Sequence, residues 1–277
     1  MKNYPRVLIM IETFNRRSGG GITLSNLFQG WDPSCLANAV TIHNVGKIEN
    51  PERCDNYYCL GNEEFKVSKP LGIYFRISPS GEIDFSQRKT SQITRGKLKT
   101  TINSLLSAPV NWIKDFFNLP NLVYSMDVSP RFLKWIKDFN PDYIYIQPSS
   151  RMTINFFKKL HKATGVPLVM HIMDDWQNAT IKYSFLNNYW KRKIDKEFRE
   201  LLGMTYRFLS ISAGMSDEYF RRYNKKFTHF HNTIEVDHWL KYSKTDFKIG
   251  NAIRILYAGR IGIGTYNSFF DLVLAIE

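Results

Sequence analysis

Two short stretches carry the groups best suited to chemistry. The first holds Gly19, Gly20 and Gly21, placed between the apolar run VLIMI at Val7–Ile11 and a stretch of helical period. Glycines after a strand let backbone N–H groups approach phosphate oxygens with no side chain in the way, and Arg16 and Arg17 add positive charge beside them. The second stretch is MHIMDDW, which presents His171, Asp174, Asp175 and Trp176 directly after the apolar segment VPLVM. Each has a plainer reading. The glycines are adjacent, so they form neither the dinucleotide fingerprint nor a P-loop, and a surface loop needing positive φ would use them equally well. A lone histidine at a strand end is commonly a hydrogen-bonded structural residue, and paired aspartates can cap a following helix. Three ligands from one turn make poor metal geometry, so no metal site is expected.

The elements that would position these groups follow from periodicity. Val7–Ile11 is apolar throughout, as suits a strand buried on both sides, and Leu24, Leu27, Phe28 and Trp31 recur at i, i+3, i+4 and i+7 on one helix face. Short strands are predicted at Ala39–Ile42 and Tyr57–Leu60, and another between Lys66 and Phe85 with a turn at Pro79–Gly81. From Ser129 the alternation is regular. A helix carrying Phe132, Ile136 and Phe139 ends at Asn140-Pro141, a strand spans Asp142–Gln147, and a helix capped by Ser149 or Ser150 runs to Gly165. Further strands begin at Val166 and at Phe208, the latter ending in Ser212 at the mouth of a helix with Met215, Tyr219 and Tyr223. This predicts an α/β fold, a Rossmann-like, mostly parallel sheet with helices on both faces. The glycine loop, His171, Asp174 and Ser212 would then share the carboxyl edge of that sheet.

Composition narrows the partners. With 277 residues, 43% hydrophobic, the chain has ample material for a packed core, and its net charge of +13 favours anionic partners. Nucleic acid is not expected, because the basic residues are dispersed and no reader motif is present. Cys35, Cys54 and Cys59 have no metal spacing and cannot all pair, which suits reduced thiols in a cytoplasmic protein. No segment approaches a membrane span. Between Ser86 and Lys114 six basic residues occur with no acidic one, followed by Phe116 and Phe117, a pattern that suits peripheral contact with an anionic membrane or a solvated insertion. A second basic aromatic stretch, Lys182–Arg207, carries a net +4 and is expected to be a helix.

Several segments together resemble glycosyltransferase family 4, whose members have the two-domain glycosyltransferase B fold. FLKWIKDFNPDYIYI matches the family's helix, Pro-Asp and strand. MHIMDDW matches its histidine–aspartate pair, and ISAGMSDEYFRRY its Ser-x-x-Met helix. HNTIEVDHW resembles its crossing segment, with His231 and Thr233 replacing proline and glycine, and RILYAGR resembles the first strand of its second domain. The family's usual lysine after that strand is replaced by Thr265. The resemblance implies an N-terminal acceptor-side domain over 1–240, a linker over 241–252, and the first strand and helix of a truncated donor-binding domain over 253–277. It also implies transfer of a sugar from a nucleotide-sugar donor to a saccharide or lipid-linked acceptor, with retention of anomeric configuration and no cofactor, in surface polysaccharide assembly. His171 and Asp174 would be catalytic, and Asp175, Trp176 and Ser212 would bind the acceptor. Gly19, Gly20, Gly21 and Arg260 would hold the donor diphosphate. The alternative is a noncatalytic acceptor-domain subunit that needs a separate donor-binding polypeptide.

Overall fold

β1 (Val7–Ile11) is the central strand, and its apolar run is buried on both faces: Leu8 and Met10 join one cluster of side chains, Val7 and Ile9 another. A computed structural model of the protein describes residues 4–68, 79–85, 120–176, 186–234, 236–248, 253, 255–257 and 266–276. The remaining strands of the main sheet are β2 (Leu36–Thr41), β3 (Asn56–Leu60), β5 (Gly81–Glu82), β7 (Tyr143–Ile146), β8 (Leu168–Ile172), β9 (Thr205–Ser210) and β10 (Thr228–His229). Their order is β10-β9-β8-β7-β1-β2-β3-β5, parallel except for β5, which runs antiparallel to β3. Strand order reverses beside β1, and that reversal opens a crevice at the carboxyl ends of β1 and β7. A small antiparallel pair, β4 (Phe65–Val67) and β6 (Tyr124–Met126), stands apart.

Helices cover both faces. α1 (Gly19–Leu27) packs Leu24 against Ile9 and Tyr145 on one side. On the other lie α2 (Pro130–Phe139), α3 (Arg151–Thr164), α4 (Asn187–Met204) and α5 (Ala213–Tyr223), whose Phe132, Phe157, Phe198 and Tyr219 share the larger cluster with Ile144 and Met170. Their ends follow local chemistry. Ser129 accepts from Phe132 N and Ser150 from Thr153 N, while Asn140 and Gly165 take left-handed conformations that close α2 and α3. The α/β class, the parallel sheet and its two-sided helical cover agree with the sequence expectation. Some boundaries do not: α4 stops at Met204 and β9 begins at Thr205, three residues before the expected Phe208, because Thr205 pairs with Leu168 of β8.

One buried carboxylate ties the β3 end of this unit together. Glu64 has no exposure and accepts from the Tyr58 hydroxyl (3.1 Å), Gly61 N (3.0 Å), Ser80 Oγ (2.5 Å) and Ser129 Oγ (2.5 Å). All four partners are donors, the complement of an acceptor-only group.

The chain divides into two compact units, Met1–Ile234 and Glu235–Glu277. In the second, a one-turn helix (Val236–Leu240) precedes α6 (Tyr266–Ile276), and among the described residues its apolar side chains are largely exposed, Leu256 at 89%. Of RILYAGR only residues 255–257 are described, and they are not in the expected strand; the basic segment from Arg88 to Phe117 and Arg260 lie outside the described residues.

Candidate functional site

A cleft of about 370 Å³ occupies the crevice where the strand order reverses. Its walls come from the carboxyl ends of four parallel strands: Met10, Ile11 and Glu12 at the end of β1, Gln147 to Ser149 after β7, His171, Met173 and Asp174 at the end of β8, and Ile211 after β9. Gly19 and Gly20, at the start of α1, close one side, with Asn232 nearby.

The turn out of β1 is strained. Ile11 has φ +74°, and Glu12 N donates to Met10 O at 2.9 Å, a γ-turn of the unfavourable hand at a β-branched residue. Such a conformation costs roughly 1 to 3 kcal/mol and persists only where its surroundings fix it. Two buried asparagines do so. Asn38 donates to Ile9 O (3.1 Å) and Glu12 O (2.8 Å), and Asn44 donates to Ile11 O (2.7 Å). A third, Asn15, holds the next turn by donating to Thr13 O while its own oxygen accepts from Arg17 N and Ser18 N. The outcome is a rigid loop that carries the Glu12 side chain into the cleft.

The glycines differ from expectation. They are the first turn of α1 rather than a loop, and none has positive φ. Ser18 caps the helix by accepting from Gly21 N at 3.1 Å. Glycine is needed at 21 for space, since a Cβ there would meet Asn15 Nδ2 at 2.1 Å, and Gly20 lies under the Glu12 carboxylate. Gly21 does not line the cleft, whereas Gly19 and Gly20 bring to it N–H groups that have no partner within the helix. Neither Arg16 nor Arg17 lines the cleft: Arg17 forms an ion pair with Glu49, which also accepts from the backbone N of Arg16.

His171 lines the cleft yet is only 2% exposed. The Tyr145 hydroxyl lies 2.6 Å from its Nδ1 and also accepts from Gln147 Nε2 at 2.9 Å. With Gln147 supplying a proton to the phenol oxygen, the phenol's own proton goes to Nδ1. The tautomer that gives the phenol proton a partner is thus the neutral ring with hydrogen on Nε2, an atom that has no hydrogen-bond partner among the described residues. Burial pushes its pKa down to about 4 and pushes the Tyr145 phenol up. At neutral pH this ring is a hydrogen-bond donor, not a base with a proton to gain.

The other expected site residues divide. Asp174 and Trp176 line the cleft with His171. Asp175 turns to α5, where Arg222 grips it with two 2.9 Å bonds and also pairs with Glu218. Ser212 caps α5, accepting from Met215 N at 3.2 Å. Neither is part of the cleft wall. Glu12, Tyr145, Gln147 and Asn232 escaped sequence reasoning. The signal for Glu12 was its place as the first charged residue after the β1 run, and for Gln147 its place as the polar end of DYIYIQ.

Set beside known proteins, the chain matches no family model and no curated protein. Among the described residues no helix is long and apolar enough to cross a membrane.

Proposed function

We propose that this protein is a glycosyltransferase of the family 4 type, moving a sugar from a nucleotide-sugar donor to a saccharide or lipid-linked acceptor with retention of configuration, in surface polysaccharide assembly. The observation that carries this reading is the gathering of Gly19, Gly20, His171, Asp174 and Trp176 into one cleft where the strand order reverses. Ligands of open α/β sheets bind there.

In this reading Nε2–H of His171 donates to a sugar oxygen and the Asp174 carboxylate accepts from a hydroxyl. The free N–H groups of Gly19 and Gly20 meet a further ligand oxygen, and Trp176 offers an aromatic wall. These groups hold the reacting partners in line, an effect of orientation and fixed dipoles rather than of strong base catalysis. Arg260 is the family's donor-side arginine by resemblance.

A second reading is favoured by the exposed apolar side chains of the second unit: an acceptor-side subunit whose donor is bound by a separate polypeptide. The test for both is a panel of nucleotide sugars, with sugar transfer to saccharide and lipid-linked acceptors read by mass spectrometry. Transfer by the chain alone supports the first. Transfer only after a donor-binding polypeptide is added supports the second, and no transfer under either condition overturns both.

A further inference from the structure

We propose that the cleft selects an uncharged, hydroxyl-bearing sugar ring against phosphate and carboxylate ligands, and that Glu12 is the residue that sets this preference. The inference rests on the cleft being a sugar site and narrows the class of sugar it takes. Its basis is a reversal of charge. The chain carries 38 lysines and arginines and a net +13, yet among the described residues lining the cleft there is no lysine or arginine, and the charged side chains there are the carboxylates of Glu12 and Asp174.

A carboxylate already stands beside the first turn of α1. Glu12 Oε2 lies 3.1 Å from where a Cβ on Gly20 would stand, so the carboxylate sits over the first turn of the helix, where the positive end of the dipole would otherwise attract an incoming anion. Of the two arginines beside the glycines, Arg17 pairs with Glu49, and neither Arg16 nor Arg17 lines the cleft. Among the described residues lining the cleft, a phosphate would meet two negative charges and no cationic side chain, whereas a sugar hydroxyl can donate to either carboxylate.

A second, independent feature points to a ligand. His171, a lining residue of the cleft, is only 2% exposed, and its Nε2 is buried with no hydrogen-bond partner among the described residues. A buried donor left unsatisfied is costly, and a ligand oxygen is its natural complement. Donor at His171 and acceptors at Glu12 and Asp174 match hydroxyls, which both give and take hydrogen bonds. A phosphate dianion can only accept, so it could use His171 but neither carboxylate.

The test follows the ring nitrogens of His171 by NMR in the full chain, with the signal assigned by its loss in His171→Gln. The probes are neutral methyl glycosides (gluco, galacto and manno), methyl glucuronide and inorganic pyrophosphate. The expected result is that a neutral glycoside shifts the His171 signal, while the anionic probes require a concentration at least roughly ten-fold higher, as like charges brought together would demand. Glu12→Gln, nearly isosteric, should close most of that gap, and Asp174→Asn should close part of it. The proposal is overturned if pyrophosphate or the glucuronide acts at or below the concentration of the best neutral glycoside. It is equally overturned if Glu12→Gln and Asp174→Asn both leave the gap unchanged, or if no neutral glycoside shifts the signal. Failure of sugar transfer would end the glycosyltransferase reading without touching this charge preference, and tight pyrophosphate binding here would end the preference while leaving transfer open.

Discussion

The Tyr145 hydroxyl and Nδ1 of His171 lie 2.6 Å apart on neighbouring strands, inside the sheet's α1 face. A histidine turned to water could be removed at little cost to folding. This one cannot, because its loss strands a buried phenol. His171→Ala is expected to lower unfolding free energy by about 1 to 3 kcal/mol beyond the cavity it leaves. Urea unfolding of His171→Ala and of His171→Gln, which can still accept from Tyr145, separates the two contributions: the glutamine variant should recover most of the hydrogen-bond part.

The same burial makes stability depend on pH. His171 is held down at about 4 in the folded chain against 6.5 for the free side chain, so between those values the unfolded chain binds the extra proton. Its contribution is complete above about pH 6.5 and is lost as pH falls toward 4, by up to about 3 kcal/mol. Unfolding curves at intervals across that window should show the decline, and the slope should flatten in His171→Gln.

Neighbouring glycines should respond in opposite directions to alanine. Gly19 has open space around its Cβ position and helical backbone, so Gly19→Ala should stabilise the protein by about 0.5 to 1 kcal/mol. Gly21→Ala drives a methyl into the Asn15 amide, which braces the loop after β1, and should destabilise by about 1 to 3 kcal/mol. Thermal melts of the two variants side by side are sufficient, and equal effects would mean that Asn15 yields freely.

Replacing the strained residue offers another comparison within one strand. Ile9→Gly removes a fully buried side chain and should cost about 4 kcal/mol or more, whereas Ile11→Gly also releases about 1 to 3 kcal/mol of backbone strain and should fall well short of that. If the two costs match, the positive φ at Ile11 stores no appreciable energy.

The sheet was legible because its strands are near-continuous apolar runs and its helices have clean 3.6-residue faces; VLIMI and FLKWIKDF admit few other readings. The site was legible only in outline. His171, Asp174 and Trp176 could be placed at a strand end by counting, but Asp175 is adjacent in sequence and points to Arg222, a distinction made by a side chain from α5 that no local pattern encodes. Likewise the glycines announced a special backbone, while the need at Gly21 came from Asn15, six residues earlier. Glu12 was passed over because its importance lies in the turn at Ile11, held by Asn38 and Asn44 from other elements.

Glu64 bears on how the chain reaches this state. Its acceptors are filled by Tyr58 and Gly61 nearby, by Ser80 and by Ser129, 65 residues away at the cap of α2. Until those three segments meet, the carboxylate is better served by water, so its bonds are expected to close late on the folding route. Interactions absent from the barrier crossing leave the refolding rate alone and govern how fast the native state opens. Glu64 is thus expected to act as a latch on unfolding: Glu64→Gln should raise the unfolding rate far more than it lowers the refolding rate, as denaturant-jump kinetics would show.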